Sequence, residues 1–144
     1  MLFSLLISFA ATFFVGIMLD MDIKISLYSA VAGCISYAVF LLINDSKIAY
    51  FAATFILSLA SFIFAKAAKS PSTVFIVIGI YTLVPGSGVY QTMQSIINSN
   101  YDKAMELGAN TFINLTLMAM AIAVSNSLSS AVFGFLERKP SKKY

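Results

Sequence analysis

Histidine and tryptophan are absent, cysteine occurs once and proline three times in 144 residues, and only 10% of the residues carry charge. Without histidine, histidine-dependent catalytic triads and histidine-ligated metal sites are excluded. A lone cysteine, Cys34, forbids an internal disulfide and a cysteine-cluster metal site, and its apolar surroundings read as packing. No cofactor, metal or catalytic residue is expected. A soluble domain of this size carries roughly 25% charged residues, so nine Lys/Arg and six Asp/Glu cannot wet its surface. The net charge of +3, mostly terminal, argues against nucleic acid. What is abundant is apolar surface: 60% hydrophobic residues and a mean hydropathy of +0.91. Five spans of ~20 residues would use ~100 of them. A single all-α membrane domain fits.

The pattern predicts spans over 1–19, 26–43, 48–65, 72–97 and 107–136, with a basic tail over 137–144. The first run lacks the basic residues that precede a secretory signal's apolar core, and is read as a retained span. Connections of four or five polar residues, such as Asn44-Asp45-Ser46-Lys47, force neighbouring helices antiparallel. With five crossings, Lys24, Lys66, Lys69, Arg138, Lys139, Lys142 and Lys143 fall on one side. Lys47 and Lys103 fall on the other. Basic loops favour the cytoplasm, so the N-terminus is expected outside and the C-terminus inside, in a multi-pass protein. The tail then anchors at anionic lipid.

Lipid tails are as apolar as leucine, so membrane helices associate through small residues that allow close approach. Ser4, Ser8, Thr12 and Gly16 recur along one face of the first span. Ser29 and Gly33 do so in the second, and Thr54, Ser58, Ser61 and Ala65 in the third. Asn110, Asn114, Ala121, Ser125 and Ser129 lie near one stripe of the fifth. Two amides on adjacent turns are costly in lipid unless paired or wetted, which makes Asn114 a candidate for a substrate path.

The fourth span carries Pro85-Gly86-Ser87-Gly88 after only 13 residues, roughly 20 Å of helix. Proline lacks a donor and disfavours helix at Val84, and Gly86 and Gly88 permit conformations closed to other residues. The helix is expected to break there, and interrupted backbone at membrane depth survives only against protein or water. Beyond the break, Val89, Met93, Ile96 and Ile97 suggest an apolar face. Tyr90 with Gln94, and Gln91 with Ser95, suggest polar pairs on the rest. Amides near Gly88 and Tyr90 would lack acceptors and carry the positive end of a helix dipole. Transporters hold substrate carboxylates at such half-helix ends, and Ser87 and Tyr90 add hydroxyls. A plain packing kink is the alternative.

The approach Lys66…Lys69-Ser70-Pro71 and the block Leu-Val-Pro-Gly-Ser-Gly-Val-Tyr at 83–90 resemble the threonine/serine exporter family. The resemblance is to its C-terminal half, which some bacteria encode as a separate small subunit. It implies a bundle of about five spans in a bacterial plasma membrane. It also implies export of small carboxylate-bearing metabolites, threonine and serine or C4 dicarboxylates such as succinate. A larger partner with a cytoplasmic domain and about five spans of its own is implied too. The motif positions are Pro85, Gly86, Ser87, Gly88 and Tyr90; Gln91, Gln94 and Asn114 join them from the residue reading. Two fused odd-numbered halves must be inverted with respect to each other, which agrees with the orientation read from the lysines.

No Asp or Glu lies deep in any expected span. Ion coupling usually needs an ionisable or oxygen-rich site at depth, so a coupling carboxylate is expected on the partner. Lys66 and Lys69 serve either as anion attractors or as snorkelling anchors. A scaffold that stabilises or gates a larger transporter is the second functional reading. The expected partners are the bilayer, the larger subunit, a small carboxylate and, as a further arrangement, a homo-oligomer.

Overall fold

In hydrocarbon every backbone N–H and C=O must find a partner within the protein, and a helix satisfies them within one segment. The computed structural model of the chain describes residues 2–43 and 46–137, and among them there is no strand. Six helices follow in order: α1 (Leu2–Met18), α2 (Ile23–Leu42), α3 (Ser46–Ala68), α4 (Ser72–Ile80), α5 (Gly86–Ile97) and α6 (Tyr101–Glu137). Asn44, Asp45 and the tail beyond residue 137 lie outside the described residues.

Among the described residues, three helices are long and apolar enough to cross a membrane: Ile23–Leu42, Lys47–Ala68 and Tyr101–Ala131. The sequence suggested five crossings. The difference is one of length, because α1 is apolar but only 17 residues long. Helices α4 and α5, with 9 and 12 residues, reach roughly 13 and 18 Å, against ~30 Å of hydrocarbon. Helix α6 also begins six residues earlier than its expected span. The Asn100 side-chain oxygen accepts the Lys103 N–H at 3.3 Å and so caps the first turn, which carries Asp102 where the dipole favours an acid.

Small residues line much of the inside, around a few large ones such as Phe75, Leu57 and Ile78, and most of the large apolar residues face outward. Ser8, Thr12 and Gly16 of α1 are buried, as are Ser29 and Gly33 of α2. Thr54, Ser58, Ser61 and Ala65 of α3, and Ala121, Ser125 and Ser129 of α6, are buried as well. Phe3, Met18, Ile63, Phe112 and Met120 face outward. A Cβ added at Gly33 would sit 2.8 Å from Thr12 Oγ1, so glycine is what lets α1 and α2 touch. Stacked Tyr28–Phe64 and tilted Phe40–Tyr50 pairs, with ring centroids 5.4 and 4.9 Å apart, set α2 and α3 antiparallel.

Helices α1, α3 and α5 end alike, with Asp20, Lys69 and Ser99 at φ of 60°, 52° and 57°. In each case the next N–H reaches back five residues, Met21 to Gly16, Ser70 to Ala65 and Asn100 to Ser95. This is the Schellman ending, which usually seats glycine.

Helix α4 packs on α1, α2 and α3, whereas α5 packs on α6 alone. Between them, Leu83 enters the core with Ala32, Ala53, Leu57 and Met118. Leu57 is the central residue of α3, and Ala32 and Met118 lie at or beside the centres of α2 and α6. The non-helical residues 81–85 therefore sit at the mid-height of the bundle.

Candidate functional site

The interruption follows from one missing donor. Pro85 has no N–H for the Tyr81 carbonyl and disfavours helix at Val84. Leu83 and Val84 both turn back to the Ile80 carbonyl, and the Thr82 hydroxyl takes the Gly79 carbonyl at 3.0 Å. The carbonyls of Tyr81, Thr82 and Leu83 accept no hydrogen bond from the described residues. Pro85, at φ −74° and ψ 60°, closes an inverse γ-turn in which the Gly86 N–H meets the Val84 carbonyl at 2.7 Å.

The non-helical residues lie upstream of the glycines, contrary to the sequence expectation. Gly86, Ser87 and Gly88 form the first turn of α5, and no glycine among the described residues has a positive φ. Gly88 is needed for closeness instead, because a Cβ there would collide with Thr111 Oγ1 on α6. The expected bare amides are also fewer. The Gly88 and Val89 N–H groups both reach the Pro85 carbonyl, at 3.1 and 3.3 Å. The Ser87 N–H finds no acceptor among the described residues, and no side chain caps this helix start.

The face that α5 turns to α6 differs too. Gly88, Thr92 and Ser95 make it, while Val89, Met93, Ile96 and Ile97 all stay exposed. Small side chains win this interface because they allow the closer approach. The expected side-chain pair between Gln91 and Ser95 is a backbone bond, with Ser95 Oγ donating to the Gln91 carbonyl at 2.8 Å.

The candidate residues fall into two groups. Pro85 is buried, Gly86, Ser87 and Tyr90 are exposed, and Gly88 is half-buried at the start of α5. Asn114 belongs with them. It shares a helix face with Thr111, which abuts Gly88, and with Met118, which belongs to the same core cluster as Leu83. Its amide is half-buried and makes no hydrogen bond to the described residues. Gln91 and Gln94 form the second group. They line a cavity of about 420 Å³ with Ser95, Asn98, Asn100, Lys103 and Leu107, where α5 turns into α6. Pro85, Gly86, Ser87, Gly88, Tyr90 and Asn114 do not reach it. Asn98 could have been found from the sequence, since 91, 94, 95 and 98 share a helix face. Lys103 could not, because its place depends on where α6 begins.

Chemically, the first group offers an uncapped amide, a helix dipole and an amide side chain in low dielectric. The second offers amide donors and acceptors beside one cation. No three His, Cys, Asp or Glu gather among the described residues.

The sequence model of the threonine/serine exporter, ThrE, matches residues 4–132. The chain belongs to the threonine/serine exporter family. That match takes in all of α1 to α5 but for the first two residues of α1, and α6 as far as residue 132. No curated relative and no solved structure matches the chain. For a threonine/serine exporter, polar groups gathered at the mid-height of an apolar bundle are the natural place to look for substrate. Family membership and apolar helices together make it a membrane transport protein.

Proposed function

We propose that this chain is the small membrane subunit of a two-component secondary exporter in a bacterial plasma membrane. Its substrates are small carboxylate-bearing metabolites, threonine and serine or C4 dicarboxylates such as succinate. On this reading α1, α2, α3 and α6 each cross the bilayer, and α4 and α5 together form a broken fourth crossing. The N-terminus lies outside and the C-terminus inside. The chain performs no covalent chemistry, and a coupling carboxylate belongs to a larger partner with its own five spans and a cytoplasmic domain.

The observation that carries the reading is the start of α5. Its Ser87 N–H and the Asn114 amide, neither hydrogen-bonded among the described residues, flank an interruption level with the centre of α3. A carboxylate oxygen is the acceptor that such groups lack, and the dipole of α5 favours its charge. The cavity at Gln91, Gln94 and Lys103 then serves as the mouth beyond, with Gln91 and Gln94 roughly 6 and 10 Å along the helix from Ser87. Its amides suit the ammonium and hydroxyl of threonine, and Lys103 suits the carboxylate.

Export of labelled threonine by cells carrying both subunits tests the reading, with and without Gly88→Leu. The collision with Thr111 displaces the start of α5, so export should drop by at least tenfold while membrane insertion persists. Unchanged export by the inserted variant would remove the site from the mechanism. Full export by the partner alone would make this chain a scaffold.

A further inference from the structure

On the other side of the interruption, between α1 and α2, lies a cavity of about 310 Å³ lined by Ser4, Ile7, Ser8, Ala11, Tyr37 and Thr82. None of these residues belongs to α5 or α6, so the cavity is separate from the groups assigned to the substrate. Ser8 is only 5% exposed, and its hydroxyl has no hydrogen-bond partner among the described residues. The Tyr37 hydroxyl makes no hydrogen bond to the described residues. Thr82 spends its hydroxyl proton on the Gly79 carbonyl, which leaves its oxygen lone pairs available. Beside it, the carbonyls of Tyr81, Thr82 and Leu83 accept nothing from the described residues. Unsatisfied polar oxygens are costly to bury one at a time, and here the hydroxyl-bearing Ser4, Ser8, Tyr37 and Thr82 line one cavity beside the interruption.

We infer that this cavity binds a sodium ion, with ligands drawn from the Ser8, Tyr37 and Thr82 hydroxyls and the Thr82 carbonyl. The donor set selects the ion. Every group is a neutral hydroxyl or carbonyl oxygen, and no Asp, Glu, His or Lys lines the cavity to take up or release a proton. Calcium and magnesium sites draw on carboxylates, and no acidic residue lines this cavity. A hard monovalent cation matches neutral hydroxyl and carbonyl oxygens, as it does at unwound helices elsewhere. The volume is about ten times the ~30 Å³ that a water occupies in the liquid, so water completes the coordination. The site goes beyond the transport reading and stands apart from it, because binding is read on the chain without any substrate.

The test is thermal unfolding of the full chain in detergent, in 100 mM NaCl against 100 mM choline chloride, with equilibrium binding of radioactive ²²Na⁺ as the direct readout. Sodium should raise the midpoint by about 3–5 °C, and ²²Na⁺ should bind saturably and be displaced by NaCl but not by choline. Ser8→Ala and Tyr37→Phe should each abolish both signals. Ser125→Ala removes an equally buried, unpartnered hydroxyl on α6, far from the cavity in sequence, and should leave both intact. Equal stabilisation by choline, absence of saturable ²²Na⁺ binding, or binding that survives both cavity variants would overturn the site. Absence of threonine export by cells carrying both unaltered subunits, with intact ²²Na⁺ binding, would count against the transport reading alone.

Discussion

Asn114 and Ser99 are informative residues for opposite reasons. A half-buried amide without a partner weakens a membrane helix, so Asn114→Leu should leave the melting midpoint of the detergent-solubilised chain unchanged or higher. In the same variant, threonine export should drop by at least tenfold. A large loss of stability with normal export would mean that the amide only packs. Ser99 holds a left-handed conformation that costs a non-glycine residue roughly 1–2 kcal/mol. Ser99→Gly should therefore stabilise the chain by about 1 kcal/mol, seen as a higher melting midpoint, and a lower midpoint would show that the serine side chain contributes at this turn. The sequence marks Asn98, Ser99 and Asn100 as a connection but carries no sign of the hand of the turn. Only the return bond from Asn100 to Ser95 reveals it.

At the level of the elements, Pro85 is the single cause of the interruption. Pro85→Ala would restore a donor to the Tyr81 carbonyl and allow one helix from Ser72 to Ile97. Hydrogen exchange across residues 81–88 should slow, stability should rise by as much as ~3 kcal/mol, and export should be lost. Exchange as fast as in the unaltered chain would show that something besides proline holds the chain open there. Helices α2 and α3 were legible because they combine unbroken apolar runs with Ser/Gly/Ala faces, and those faces are the buried ones. Pro85 gave the position of the irregularity to within a turn. Its direction was missed, since proline disturbs the residues before it while Gly86 and Gly88 tolerate helix perfectly well. The face of α5 was misjudged for a different reason. Hydrophobicity pointed to Val89 and Met93, whereas helix contact in a membrane is won by small residues such as Gly88 and Ser95. The early start of α6 hangs on one Asn100 cap that periodicity cannot register.

For the whole molecule, the arrangement is largely inverted relative to a soluble protein, with hydroxyls and alanines inside and most of the large apolar side chains, Phe75 and Met118 excepted, outside. That inversion was readable from composition and from the four-residue recurrence of small side chains. The two polar regions around the interruption were not, because they bring α1, α2, the turn at 81–85, α5 and α6 together across long stretches of sequence. Their common premise is that the backbone at 81–88 borders water at the mid-height of the membrane. Cysteine accessibility at Ser87 tests it most directly. In a Cys34→Ala background, Ser87→Cys is exposed to a membrane-impermeant maleimide in intact cells and in inverted vesicles, with the partner present. The account predicts labelling from at least one face, slowed by added threonine. A thiol inert from both faces and indifferent to threonine would mean that the start of α5 is sealed from water, and it would contradict the account.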